Sequence, residues 1–191
     1  MYQPTEIGYP RNNSRTGRAV LFDPNPPPPR TYLDDRAIRA HINVLQSVPE
    51  SLEHMYRRPM AVILQLLFPL SEGYSVVRET NTETTRPDFT TFKFLRRPGG
   101  TLHSYEFLMV ESKGNRKLFE NVEPQCNDHL ANCNNESKNA YGIIQCALEV
   151  QFYKHENFRF QSISPTLHLV DDAAQIMDMF RHLKDHPMSF V

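Results

Sequence analysis

Three residues in the middle of the chain have types and spacing that suit hydrolytic chemistry. Asp88 follows Pro87 at the head of a stretch that alternates aromatic and polar side chains. Glu111 and Lys113 close an apolar run that comes after a Pro98-Gly99-Gly100 turn. Residues two apart on a strand project from the same face, so Glu111 and Lys113 share one. In antiparallel neighbours the start of one strand lies beside the end of the other, which brings Asp88 to that same edge. Two carboxylates there can hold a hard divalent cation, Mg²⁺ or Mn²⁺, through oxygen. Such a cation polarises a phosphate and lowers the pKa of a bound water. A lysine beside it can orient that water or neutralise charge developing on the phosphate. Pro-Asp and Glu-x-Lys are each common and carry little weight alone. Their arrangement carries more: helix, strand, Pro-Asp on a strand, turn, apolar strand ending in Glu-x-Lys, then helix.

The surrounding pattern predicts the elements that must hold this edge. Tyr32 to Val48 reads as a helix, with Asp34 and Asp35 in its first turn and Ile38, Ile42 and Leu45 at helical spacing. Pro49 ends it, and Glu50 to Arg57 is expected to form a short helix. Pro59 belongs in a first turn, so Met60 to Phe68 is expected to be a separate element, helix in preference to strand. Tyr74 to Thr80 and Asp88 to Leu95 read as strands. Ser104 to Ser112 reads as a strand buried on both faces, because Tyr105 to Val110 is apolar with little alternation. Leu118 to Cys133 reads as a helix and Asn132 to Asn139 as a loop. Tyr141 to Tyr153 reads as two strands or a hairpin, with helix left open as an alternative. Thr166 to Val170 is a further short strand. Asp171 and Asp172 start a last helix, with Ile176, Phe180 and Leu183 on one face and Pro187 at its end. The class is α/β (α+β), a central mixed sheet flanked by helices.

The run Arg86-Pro87-Asp88-Phe89, followed by Leu108-Met109-Val110-Glu111-Ser112-Lys113, resembles the signature of the PD-(D/E)XK, or restriction-endonuclease-like, nuclease superfamily. The likeness covers about residues 50–160. Gln125-Cys126-Asn127-Asp128-His129 is similar to the Gln-xxx-Tyr helix motif of RecB-type nucleases and type I restriction subunits, with His129 where tyrosine is usual. Ala140 to Ile144 and Val150 to Tyr153 look like the paired strands that follow that helix, in the manner of variants found in fungal genomes. The resemblance implies a restriction-endonuclease-like core, a mixed sheet of four or so strands with a helix on each side. It implies a Mg²⁺- or Mn²⁺-dependent nuclease acting on DNA more than RNA, with a homodimer as one known form. Asp88 and Glu111 would hold metal, Lys113 would assist the attacking water, and Gln125 would position the lysine or the phosphate. A further metal ligand is expected from the first core helix, with Glu53 ahead of Glu50 and Glu79. The alternative is a catalytically inactive module on the same fold that binds nucleic acid or a protein partner. Keeping both acids and the lysine favours the enzyme.

Other residues bear on partners. Arg86, Arg116, Lys117 and His129 are the expected nucleic-acid contacts. Arg57-Arg58, Lys93 and Arg96-Arg97 extend a basic rim whose plainer reading is solvated surface. Cys126, His129 and Cys133 recur at i, i+3 and i+7 on the expected helix, a spacing for zinc that lacks a fourth ligand. His41 and His54 are read as helix-surface residues, and Arg181 with Asp185 as a helix-face pair.

Composition sets the outer bounds. The 191 residues suffice for one domain with a real core at 31–191, preceded by a proline-rich tail at 1–30 that ends in Pro26-Pro27-Pro28-Pro29 and reads as a stiff linker. Hydrophobic content of 39% and charged content of 23% suit a soluble globular chain. No apolar run is long enough to span a bilayer, and the polar start lacks the apolar core of a signal peptide. Three cysteines make no disulfide framework, so an intracellular site is expected. A net charge of −1 is not the footprint of a protein that coats nucleic acid by bulk charge, so nucleic-acid binding would need a local basic patch or a metal site.

Overall fold

A computed structural model describes residues 31–48, 51–78, 86–97, 99–114 and 118–189. The tail, Glu50, Glu79, Arg116 and Lys117 lie outside the described residues. Seven strands form one mixed sheet: β1 (Tyr74–Arg78), β2 (Phe89–Arg96), β3 (Leu102–Lys113), β4 (Ala140–Cys146), β5 (Glu149–Glu156), β6 (Arg159–Ser162) and β7 (Leu167–His168). The spatial order is β1-β2-β3-β4-β5-β6, with β7 also on β5. Neighbours are antiparallel except β3 and β4, which run parallel. The parallel pair requires a crossover, and α3 (Glu123–Ala131) supplies it. The remaining helices are α1 (Arg36–Ser47), α2 (Glu53–Leu67) and α4 (Ala173–Asp185). The fold is thus a mixed sheet flanked by helices, as the pattern predicts.

Each face of the sheet has its own core. On one face, Ile38 and Ile42 of α1, Met60, Ile63 and Leu64 of α2, and Ile176 and Phe180 of α4 pack with Phe107, Ile143 and Phe152. Phe68 sits edge-on to Tyr74, Phe107 and Phe180, with centroids 5.0, 5.7 and 5.8 Å away. Each fully buried phenylalanine contributes about 1.5–3 kcal/mol through removal from water. On the other face, Val122, Cys126 and Leu130 pack on Met109, Ile144 and Tyr153. Residues 107–112 of β3 are buried without a break, which is why that run shows little alternation.

Several expectations are corrected. Residues 32–48 are not one helix. Tyr32–Asp34 forms a 3-10 turn, and Asp35 then caps α1 by accepting from the Ala37 and Ile38 amides at 2.8 and 3.1 Å. The two short elements expected on either side of Pro59 are one helix, α2, with Pro59 well inside it. Pro59 denies the Met55 carbonyl its usual donor. Tyr56, Met60, Ile63 and Leu64 are nevertheless all buried on one side of the helix, and that packing outweighs the lost bond. Phe119–Asn121 is a 3-10 turn that precedes the shorter α3. Residues 141–153 resolve as the β4–β5 hairpin and not a helix, turning at Ala147 with φ 55°. Strand β6 was not anticipated. It follows a turn at Asn157 and Phe158, both with positive φ. Asp172 does not cap α4 with its side chain; its Oδ2 accepts from the His168 amide at 2.8 Å. Arg181 pairs with Asp178, not Asp185.

Gly142 is where the crossover helix meets the sheet. A Cβ there would lie 2.8 Å from Leu130 Cδ1 and 3.1 Å from Cys126 Sγ. Gly142→Ala is expected to lower stability by about 1–2 kcal/mol through overpacking, read as a lower urea midpoint. An unchanged midpoint would mean that α3 yields freely at this contact.

Candidate metal and phosphate site

The start of β2 lies beside the end of β3, with Phe89 opposite Val110. Asp88, one residue before Phe89, therefore reaches β3: the Ser112 amide donates to its Oδ2 at 2.7 Å. Its Oδ1 is 3.0 Å from the Arg57 guanidinium of α2. Arg57 also bonds Glu53 Oε1 at 2.5 Å, so one cation bridges two carboxylates. Burial pushes the Asp88 carboxyl above its usual range. The Ser112 amide opposes that shift, Glu111 adds to it, and Arg57 and Lys113 oppose it.

Glu111 lies on the face that α3 covers, and its side chain is 2% exposed. Its Oε2 accepts from Gln125 Nε2 at 3.2 Å and pairs with the Lys113 ammonium, also at 3.2 Å. Its Oε1 lies 2.7 Å from His129 Nδ1. The two buried groups are thus each other's polar neighbour, although the contact does not meet hydrogen-bond geometry. Gln125 and His129 are four apart on α3, so both reach the carboxylate from one helix face.

The structure thus brings together Glu53, Asp88, Glu111, Lys113, Gln125 and His129. His129, one of the expected nucleic-acid contacts, lines a cleft while its side chain is 7% exposed and turned to Glu111. It does not meet Cys126 and Cys133 in a zinc site. Cys126 packs beneath Gly142, and burial pushes its thiol far above the usual range. The expected basic rim is largely spent on other partners. Arg57 is held by Glu53 and Asp88. Lys93 bonds the Glu72 carbonyl at 2.7 Å, and Arg97 bonds Tyr105 and Glu136 at 2.9 and 2.8 Å. Arg86 is exposed at a cleft of about 1010 Å³ between α3 and the β2–β3 pair. Gln125 and His129 line that cleft too, as do the acidic Glu106 and Asp128.

Two supporting residues escaped the sequence reading. Arg57 was placed on a surface rim and is the bridge between α2 and Asp88. Gln145, fully buried on β4, accepts from Ser112 Oγ at 2.9 Å and donates to the Tyr56 and Ala147 carbonyls at 3.0 and 2.9 Å. It ties β3, β4 and α2 directly beneath the Glu-x-Lys segment. The available signal was a lone amide in the apolar run Ala140 to Cys146.

Carboxylate oxygen is the ligand chemistry that a hard divalent cation takes. Three carboxylates, Glu53, Asp88 and Glu111, face two cations, Arg57 and Lys113, so negative charge is left in excess. Glu111 Oε1 is buried, with His129 Nδ1 as its neighbour at 2.7 Å. Among the described residues no three His, Cys, Asp or Glu side chains converge to hold a metal by themselves. Water or phosphate oxygens would complete the shell, as is usual for Mg²⁺.

Compared with known proteins, the chain matches no family model, no curated protein and no solved structure. Among the described residues no helix is long and apolar enough to cross a membrane.

The raised Asp88 carboxyl has a consequence for stability. An acid whose folded pKa lies above its unfolded value, about 3.9, stabilises the fold fully only below that value. This contribution is lost as pH rises through the folded pKa. Asparagine carries no such loss and can still accept from Ser112. In EDTA at pH 7, Asp88→Asn is expected to melt above the wild type, and the gap is expected to close below about pH 4. A wild type that melts higher at pH 7 would show that the Arg57 pair outweighs the burial of Asp88.

Proposed function

We propose that this chain is a metal-dependent nuclease of the PD-(D/E)XK kind, hydrolysing phosphodiester bonds of nucleic acid, DNA before RNA. The observation that carries the reading is the buried Glu111 carboxylate, hydrogen-bonded by Gln125, ion-paired with Lys113 and next to Asp88 across the β2–β3 ladder. The order of elements adds support. An antiparallel β1-β2-β3 meander is followed by α3 and the parallel strand β4, which suits a mixed core with a helix on each side.

The chain's own groups have distinct roles in this reading. Glu111 and Asp88 would supply carboxylate oxygens, Glu111 at 2% exposure and Asp88 at 12%. Lys113 is 14% exposed, close enough to the surface to hold a water against the phosphate and to offset charge that develops there. Gln125 holds Glu111 Oε2 in place beside Lys113. Ser112 fixes Asp88 through its amide, and Gln145 fixes Ser112 through its hydroxyl. A bound Mg²⁺ or Mn²⁺ would polarise the phosphate and acidify the attacking water. Asp88 Oδ2 accepts from Ser112 and Oδ1 pairs with Arg57, so a cation on a remaining Asp88 lone pair would sit against the Arg57 charge unless Arg57 turned toward Glu53 or toward a phosphate.

That Arg57 bridge is also the observation that favours a second reading, a non-catalytic module that binds nucleic acid or a protein. An arginine that neutralises Asp88 permanently would stand where a metal must.

The test is cleavage of labelled single- and double-stranded DNA and RNA with Mg²⁺ or Mn²⁺. Metal-dependent cutting is expected, with Lys113→Ala slower by about 10²–10⁴-fold. Folded wild type that cuts nothing with metal present would reject the nuclease and favour the module.

A further inference from the structure

Helix α3 packs on β3, β4 and β5. Toward β1 and β2 the same face of the sheet is open among the described residues, and Thr90, Phe92 and Met109 form the floor of the cleft beside α3. Residues opposite one another on antiparallel strands share a face, as do alternate residues along one strand. Val77 is opposite Thr90 and Ser75 opposite Phe92; Phe94 is opposite Ser104 and Arg96 opposite Leu102. Along this open face β2 therefore presents Thr90, Phe92, Phe94 and Arg96 in a row. Val77, Phe94 and Leu102, three large apolar side chains of that face, are exposed. The residues that alternate with them, Tyr74, Phe89 and Tyr105, turn to the other core. Gln125 lines the cleft and bonds Glu111, so the open strip adjoins the carboxylate site.

We infer that this open half of the sheet is a stacking platform for single-stranded nucleic acid, with unpaired bases on Phe92 and Phe94 and their edges against the polar wall of the cleft. The inference deepens the nuclease reading above by naming its substrate class, and rests on that reading for the kind of partner. Same-face side chains two apart on a strand are about 7 Å apart, a spacing that gives neighbouring bases one ring each. Aromatic rings on a sheet or groove hold single strands in this way, because every base has a π-face. The charges select unpaired bases over a duplex. A duplex is gripped through its phosphates by several Lys and Arg, whereas the cleft lining sets Glu106 and Asp128 against Arg86 and so makes no positive track. Bases are neutral, with amino donors and carbonyl and ring-nitrogen acceptors on their edges. The cleft wall complements these with the amides of Asn121, Gln125 and Asn132 and the exposed Asp128 carboxylate. Glu106 is occupied by Asn134, whose backbone and side-chain amides donate to it at 2.6 and 3.0 Å. Arg96, exposed two residues beyond Phe94 on the same face, meets the phosphate of a strand that leaves the platform.

The test is fluorescence anisotropy of short labelled oligonucleotides with the full-length protein, in EDTA so that no metal-dependent cutting intrudes. Single strands of DNA and of RNA are both offered. At least one is expected to bind, and to bind about tenfold or more tighter than the duplex of the same sequence and than an abasic strand carrying the same phosphates. These comparisons use the wild type alone, so they do not depend on whether a variant folds. Phe94→Leu keeps an apolar side chain without the ring and is expected to weaken single-strand binding about fivefold or more. Phe94→Tyr is expected to retain binding, and Leu95→Ala, on the opposite face of β2, to leave it unchanged. Equal affinity for the abasic strand, a duplex bound as tightly as the single strand, or no nucleic acid bound would each overturn the platform. A wild-type dimer in sedimentation that Phe94→Arg separates, with no strand bound, would give the face to a second copy instead. The platform and the nuclease also fail separately. A single strand that binds through its bases but is never cut with Mg²⁺ or Mn²⁺ would reject the nuclease and keep the platform. Metal-dependent cutting by a protein that binds abasic and normal strands alike would do the reverse.

Discussion

The buried carboxylate of Glu111 is the constraint around which this end of the molecule is organised. An ion taken out of water costs several kcal/mol unless neighbours compensate it. β3 carries Glu111 into the middle of the sheet and under α3, where water cannot serve. Compensation must come from side chains, and two elements deliver it: Lys113 from the same strand, two residues on, and Gln125 from the covering helix. The crossover that makes β3 and β4 parallel is also what lays α3 across Glu111. Gly142 lets that helix approach closely enough for Gln125 and His129 to reach it. Topology and site are therefore one arrangement.

Asp88 shows the same physics with less compensation. It is held by one amide and one guanidinium, and its burial still disfavours the charged form. Such tension arises at binding sites and in structural ion-pair networks alike. Arg57 moderates it by standing between Glu53 and Asp88, so α2 is coupled to the sheet edge through charge as well as through Met60, Ile63 and Leu64. The single buried amide of Gln145 completes the coupling: its three hydrogen bonds span β3, α2 and the β4–β5 turn.

Much of the framework was legible in the chain. The strands around Asp88 and Glu111 announce themselves through aromatic alternation in one and an unbroken apolar run in the other, because one is buried at its start only and the other on both faces. Helix α4 follows from Ile176, Phe180 and Leu183 at helical spacing. The misreadings have local causes. Pro59 argues for a break by its missing N–H, and only the burial of its neighbours on the sheet overrules that. Strand β6 is short, exposed and polar at most positions, so its pairing with β5 leaves little trace in composition. Asp171 and Asp172 look like caps, but the β7 backbone takes the Asp172 carboxylate first.

The sequence by itself determined which residues share the sheet edge. Strand periodicity puts Glu111 and Lys113 on one face, and the short connection after Pro98 leaves Asp88 opposite them. It could not determine what each oxygen binds. The pairing of Arg57 with Asp88 spans 31 positions, and that of His129 with Glu111 spans 18. Neither spacing follows a helix or strand period. Both depend on how α2 and α3 pack against the sheet, and packing is set by the summed burial of side chains from distant segments. Tertiary structure alone therefore decided that His129 turns inward to Glu111 Oε1 and that Arg57 is a bridge and not a rim.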